Sequence, residues 1–366
     1  MENLALNNLF NGAYAGRRVL VTGHTGFKGS WLCLWLTSLG AHVTGLALAP
    51  DTEPSHWNLL DLNEVHDLRV DLRDHAEMHR AIQQVQPEIV FHLAAQPLVR
   101  RSYLDPLATF QTNVLGLVNL FEALRSCAST KVIVNATTDK VYLEQPAVGG
   151  YREEHPLGGH DPYSTSKACA ELISDCYRKS YFSGAANTGP KVATARAGNV
   201  IGGGDWAEDR LIPDMVRAAT SGAPMRIRHP NAVRPWQHVL EPLSGYLRLG
   251  QALFAGEPVE GPWNFGPAAG ATLSVRALVN RMHTEWPSLQ IDASPGVHPH
   301  EAETLQLDCS KAASKLHWHP VWQADETFYH TARWYRAFYE QSETLSRTDL
   351  TDYVTAARAT KQSWAV

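Results

Sequence analysis

Cysteine is scarce and unpatterned in this chain. The five present (Cys33, Cys127, Cys169, Cys176 and Cys309) are odd in number and contain no Cys-x-x-Cys pair. That argues against a disulfide framework or a cysteine zinc site and for reduced thiols in a cytoplasmic protein. The 17 histidines are densest at His317-Trp-His319, but no ligand set stands beside that pair at a metal-site spacing, so no metal is expected. A surplus of one charge is also missing. The net charge is −5 with no long basic block, so no nucleic-acid partner is expected. The opening residues Met-Glu-Asn-Leu-Ala-Leu-Asn-Asn have neither a cationic start nor a long apolar core, unlike a signal peptide. The nearest thing to a membrane span, residues Trp31–Ala49, is broken by Ser38, Gly40, His42, Thr44 and Gly45. A buried helix, turn and strand explain it better, and no membrane association is expected.

What the chain does have is enough apolar material for a full core. At 366 residues, 44% hydrophobic and 19% charged, it fits two lobes or one large α/β unit. Strand-like and helix-like segments alternate through the first half. Strands are expected at Arg18–Thr22, Ala41–Leu48, Asp67–Asp71, Ile89–Leu93, Lys131–Ala136 and Val192–Ala197. Helices are expected at Ser30–Leu39, Asp74–Val85, Thr112–Ala128 and Tyr163–Phe182. This is the pattern of an α/β fold with a Rossmann-like doubly wound parallel sheet. Beyond about Gly202 the alternation weakens and Gly, Pro, Trp and Arg become frequent. The boundaries expected are therefore a dinucleotide-binding domain over 16–200 and a smaller C-terminal lobe over 201–345, with segments able to return to the first domain.

Two stretches carry chemistry. Gly23, Gly26 and Gly29 form a GxxGxxG turn between a strand and a helix, where absent side chains and helix N–H groups suit a pyrophosphate. His24 and Lys28 either add positive charge near phosphate or face solvent. Strand two ends in Gly45-Leu-Ala-Leu-Ala-Pro50 with Asp51 just beyond. It lacks both the acid that marks NAD and the Arg or Lys that would pair an NADP phosphate, and the balance leans to NAD. Asp71 either bonds the adenine amino group or caps a helix. The second stretch is Tyr163-Ser-Thr-Ser-Lys167, a phenol and an amine one helical turn apart. A cation beside a phenol favours the phenolate, so Tyr163 can act as a base near neutral pH. Strand five runs on into Asn135-Ala-Thr-Thr-Asp-Lys-Val-Tyr142, and ligands of open α/β sheets bind at such carboxyl ends.

The glycine turn, His92-Leu-Ala-Ala95, Phe110-Gln-Thr-Asn113, the Thr-Asp-Lys segment and Tyr163-x-x-x-Lys167 together resemble the extended short-chain dehydrogenase/reductase superfamily. Gly23-His-Thr-Gly-Phe-Lys-Gly-Ser-Trp31 with Thr138-Asp-Lys-Val-Tyr142 is similar, within it, to the nucleotide-sugar 4,6-dehydratases of the CDP-glucose branch. The similarity runs from about Arg17 to about Tyr339. It implies NAD as cofactor, held by Gly23, His24, Thr25, Gly26, Phe27, Lys28, Gly29, Asp71, Leu72, Ala94, Ala95 and Asn113 together with Tyr163 and Lys167. It implies CDP-glucose as substrate, bound in the C-terminal lobe, with Gln96, Asn199, Arg210 and Arg234 as contacts. Segments at Arg196, Arg210 and Arg228–Arg234 resemble those that hold a nucleotide diphosphate, for which the arginine fork is suited. Arg210 and Arg228 are equally well ordinary surface charges. Asp139 would protonate the leaving C6 hydroxyl, Lys140 would remove the C5 proton, and Thr138, Tyr163 and Lys167 would oxidise C4. An epimerase needs only Ser/Thr, Tyr and Lys, so the Asp-Lys pair speaks for dehydration. Lys140 stands where the dTDP branch has Glu, and it would need a lowered pKa to act as a base. The product would feed deoxysugar synthesis for surface polysaccharide. Apolar positions on more than one face of the two long helices (Leu115, Leu117, Leu120 and Leu124; Ala168, Leu172, Ile173 and Tyr177) suggest the family's four-helix interface, in a homodimer or homotetramer.

Overall fold

The computed structural model describes residues 6–145, 149–183, 189–222, 225–226, 232–268, 272–288, 291–292 and 306–366. Seven strands form one parallel sheet: β1 (Arg18–Thr22), β2 (His42–Ala47), β3 (His66–Arg69), β4 (Ile89–His92), β5 (Val132–Ala136), β6 (Lys191–Arg196) and β7 (Gly261–Asn264). Their order across the sheet is β7-β6-β5-β4-β1-β2-β3. The chain reverses direction between β1 and β4, which opens a crevice above their carboxyl ends, the place where ligands of this fold bind. The α/β, Rossmann-like architecture read from the sequence is the one observed.

β7 was not legible in the sequence. Gly-Pro-Trp-Asn carries neither a β-branched run nor alternation, and its proline is tolerated because β7 is an edge strand, paired only with β6. The segment after Ile201 therefore returns to the main sheet. The remaining strands there are short pairs, such as Val200–Ile201 with Gln237–His238 and Val233–Pro235 with Thr272–Ser274.

Helix α1 (Phe27–Ser38) is buried on every face from Gly29 to Leu36, as expected of a helix apolar all round. The sheet covers one side. On the other, Trp35 packs edge-on against Phe10, Tyr353 and Trp364, which come from the two ends of the described chain. This accounts for the long apolar stretch, and no helix among the described residues is long and apolar enough to cross a membrane.

The helix expected over 112–128 is observed as Pro106–Phe110, a π-turn at Gln111–Leu115 and α2 (Gly116–Arg125). The wide turn carries Asn113, whose amide is buried and fully used. Its Oδ1 accepts from Gln96 N at 2.8 Å, and its Nδ2 donates to Gln96 O at 3.1 Å and Ser166 Oγ at 2.9 Å. Helix α3 (Pro162–Tyr177) starts cleanly. Pro162 occupies the first turn, and the Asp161 carboxylate accepts from Ser164 N at 2.9 Å.

Candidate active site

The glycine turn is shaped by close approach. Gly23 has φ +75°, and a Cβ on it would lie 2.7 Å from Ala94 N. A Cβ on Gly29 would lie 2.1 Å from Gly23 O. Both positions admit only glycine. Gly26 is different: it caps α1, no side chain bonds the first-turn N–H groups, and no acid lies in that turn. A Cβ there would meet only Gly23 O, at 3.4 Å. The cradle is therefore open, lined with N–H donors, and suited to a pyrophosphate.

The side chains around the turn divide into two groups. His24 points inward. Its Nε2 pairs with Asp67 Oδ1 at 2.9 Å, and its ring lies so close to β2 that a Cβ at Gly45 would sit 2.3 Å from it. Burial lowers its pKa against the pull of Asp67. Of the two roles open to it in the sequence, the ring takes neither, since it is buried rather than solvent-facing and spent on Asp67 rather than a phosphate. Lys28 turns toward the sheet's carboxyl edge. Burial and the nearby Arg210 and Lys167 push it down to about 8, with Asp139 and Asp205 opposing. Thr25 Oγ1 donates to Leu48 O at 3.0 Å, and Phe27 packs against the core. A cation does reach the end of β2, but from a neighbouring strand. Arg69 donates to Leu48 O at 2.8 Å and to Asp67 at 2.6 Å. No local sequence signal marks it.

Asp71 accepts from Arg73 Nε at 3.0 Å and from the Arg73 backbone N at 2.9 Å, and these bonds hold its carboxyl low. Leu72 is buried beside Gly116. Ala94 N donates to Thr22 Oγ1 at 3.3 Å, and Ala95 follows it in the chain. Gln96 spends its side chain on its own loop, bonding Leu98 N, Leu98 O and Thr109 Oγ1 at 2.7, 3.1 and 3.0 Å.

The proton-handling groups gather at the ends of β5 and α3. Thr138 Oγ1 donates to Asp139 Oδ1 at 3.0 Å, and both residues are buried. Tyr163 stands beside them. Burial pushes its phenol up to about 12, while Thr138 and Arg210 favour the phenolate and Asp139 disfavours it, so the base near neutral pH expected from Lys167 is not met in the protein alone, where desolvation outweighs the cations. A cation acting on this phenol is thus Arg210, which pairs with Asp205 at 2.9 Å. Lys167 directs its ammonium to Ala136 O at 3.1 Å, and burial lowers it to about 8. His92 bonds Thr22 Oγ1 at 2.7 Å and is pushed down to about 3 by burial and by Lys167, so it is neutral.

Asp139 also lines a cavity with Gly198, Pro235, Gln237 and Leu307. Gly198 leaves room for the carboxylate, since a Cβ there would fall 1.8 Å from Asp139 Oδ2. Gln237 was not singled out in the sequence. Its Nε2 donates to Gly198 O and Phe265 O at 3.0 and 3.1 Å. Asn199, held at φ +50°, accepts from Gln237 N at 3.2 Å. Arg234 precedes the cavity residue Pro235 in its strand, and Arg228 lies outside the described residues. Arg196 is buried in an ion pair with Glu171 at 2.9 Å, which removes it from the arginines available to a diphosphate.

Residues 20–331 match the model of the GDP-mannose 4,6 dehydratase family. The chain is 47% identical over 352 residues to the CDP-glucose 4,6-dehydratase of Salmonella typhimurium, covering 94% of this chain and 98% of the relative. It is 27% identical to the dTDP-glucose 4,6-dehydratase of Xanthomonas campestris, covering 86% and 92%. Among solved structures, the UDP-glucose 4-epimerase of Thermus thermophilus in complex with NAD superposes with a TM-score of 0.73 at 28% identity, covering 87% of this chain and 98% of that one.

Proposed function

Because the chain belongs to the GDP-mannose 4,6 dehydratase family, we propose that it removes water from CDP-glucose to give CDP-4-dehydro-6-deoxyglucose, with NAD as a cofactor regenerated in each turnover. The observation that carries this reading is Asp139. Its carboxyl is buried beside Thr138 and Tyr163 and faces the cavity, where a 4-epimerase would need no acid for a leaving hydroxyl. The CDP form of the sugar is supported by the far higher identity to the CDP-glucose enzyme than to the dTDP-glucose one.

The open turn at Gly23–Gly29, the first-turn N–H groups of α1, and residues Asp71, Leu72, Ala94, Ala95 and Lys167 would hold the dinucleotide, with Asn113 ordering the Gln96 loop beside them. NAD, when bound, supplies the acceptor for the hydride leaving C4 and the donor for its return at C6. Tyr163 takes the C4 hydroxyl proton while Thr138 bonds that oxygen. The C4 carbonyl so formed acidifies the C5–H. Lys140 removes the C5 proton, Asp139 gives a proton to the C6 oxygen, and water departs. A proton then returns to C5. Lys28, Arg210 and Asp205 surround the same crevice, and Arg210, Arg234 and Asn199 would contact the nucleotide diphosphate.

The test is to incubate the protein with NAD and CDP-, UDP- or dTDP-glucose in separate tubes and weigh the products by mass spectrometry. Loss of one water from CDP-glucose, with no net reduced cofactor, is expected. An unchanged mass with a new stereoisomer would mean epimerisation and would remove the roles given to Asp139 and Lys140.

We infer further that the chain assembles as a homodimer or homotetramer. Leu104, Leu107, Leu115 and Leu172 lie exposed on the helices that carry and flank the site, an apolar surface that a second copy would cover. Sedimentation is expected to give two or four times the chain mass, and a monomer at micromolar concentration would refute it.

A further inference from the structure

We propose that Glu171 is a positioning residue of the dehydration, fastening the strand end that bears Thr138, Asp139 and Lys140 to the helix that bears Tyr163 and Lys167. The proposal rests on the reading of the site given above and concerns a residue to which that reading assigns no part.

Glu171 lies one helical turn beyond Lys167 on α3 and is buried. Each of its oxygens has a separate task. Oε1 accepts from Thr137 Oγ1 at 2.5 Å. Oε2 accepts from Thr194 Oγ1 at 2.6 Å and from Arg196 at 2.9 Å. Thr137 immediately precedes Thr138. Arg196 carries the connection to the other flank, donating to the Tyr142 hydroxyl at 2.8 Å and to Glu153 O at 3.1 Å. Tyr142 is two residues past Lys140 and donates on to Asn264 Oδ1 of β7 at 2.7 Å. One buried ion pair thus grips residues 138–140 from both ends.

Stability alone does not call for such a pair. Apolar residues of similar volume often replace a buried ion pair without loss, and the β5–β6 ladder is already joined by backbone bonds. What apolar packing lacks is direction. The two carboxylate oxygens set the strand end against α3 at hydrogen-bond tolerance, so the acid and base of the elimination share one frame with the groups that oxidise C4. Glu171 also provides the negative charge facing Lys167. The other groups around that ammonium are the Ala136 carbonyl, His92 from β4, neutral by burial, and Lys28 from α1, which repels it. Removing the carboxylate charge leaves Lys167 easier to deprotonate.

Three variants of the full chain test this: Glu171→Gln, Thr137→Val, and the double variant Glu171→Gln with Arg196→Met, in which no charge is left unpaired. The readouts are kcat and KM for CDP-glucose against pH, and the near-ultraviolet absorbance of reduced nicotinamide during turnover. In Glu171→Gln and the double variant, kcat is expected to fall by about 10²-fold, the cost of a misplaced catalytic group, with KM changed less than about threefold. Their alkaline limb is expected to move to lower pH. Thr137→Val keeps the charge, so it should lose kcat without that movement. Because the oxidation and elimination groups no longer share a frame, reduced nicotinamide should accumulate during turnover in all three. Folded variants that keep the wild-type kcat, alkaline limb and absorbance overturn the proposal. If Glu171→Gln does not fold, the same result in the other two overturns it. A wild-type protein that forms no dehydrated product removes the functional reading itself, and this proposal with it.

Discussion

A single methyl group at position 198 would collide with the Asp139 carboxylate, because a Cβ there falls 1.8 Å from Oδ2. Gly198→Ala must therefore displace that carboxylate or the chain beside it. Overpacking of this kind costs about 1–3 kcal/mol, and kcat should fall by at least about tenfold because the acid is moved. Urea denaturation and steady-state kinetics together check this, and an unchanged kcat would show that Asp139 does not depend on that space. At this scale the sequence conveyed residue types and spacings but few of the partners. Tyr163 and Lys167 were found from one helical turn of separation, and Gly23 and Gly29 from their place between strand and helix. The inward turn of His24, the arrival of Arg69 at the end of β2 and the pairing of Arg196 with Glu171 depend on residues distant in the chain. No local pattern encodes them.

Elements differ in how openly they are written. β4 and β5 each open on three consecutive apolar residues, Ile89-Val-Phe91 and Val132-Ile-Val134, because helices cover both faces of a parallel sheet. β7 hides behind a glycine and a proline, and the π-turn at Asn113 interrupts what periodicity presents as one helix. The joints between elements are less visible still. At the start of the helix Leu240–Phe254, Glu241 accepts from Val321 N at 3.0 Å, Trp322 N at 2.7 Å and the Tyr353 hydroxyl at 2.8 Å. Burial raises its carboxyl from 4.5 to about 7 despite these three donors. A folded pKa above the unfolded one means that the folded state holds the proton more tightly. The stabilisation is complete below about pH 4.5 and is lost as pH rises through about 7. Glu241→Gln should remove that dependence. Thermal denaturation of both proteins between pH 4.5 and 8 checks it, and equal slopes would refute the raised value.

Across the whole molecule, the two ends of the described chain meet on the outer face of α1. Phe10 stacks on Trp364 with centroids 5.1 Å apart, Phe10 N donates to Trp364 O at 2.7 Å, and Tyr353 lies over the same indole. Both segments fall outside the span matched by the family model, and Trp364 is fully buried. Trp364→Ala should cost about 3–5 kcal/mol, read as a lower urea midpoint. The kcat of the folded protein should stay near wild type, because the indole packs against Phe10, Trp35 and Tyr353, none of which has a part in the proposed chemistry. A large loss of kcat at unchanged stability would contradict this account of the clasp.

The sequence by itself determined the α/β class, the glycine-rich strand–turn–helix, and the Tyr-Lys and Thr-Asp-Lys sets. Each of these is a short-range pattern whose physics acts within one or two helical turns. Only the tertiary structure decided which cation faces Tyr163, where Arg196 spends its charge and what covers α1. Those outcomes depend on burial and on partners tens to hundreds of residues away. Desolvation and Coulomb forces act through space, and the order of residues along the chain does not record such distances.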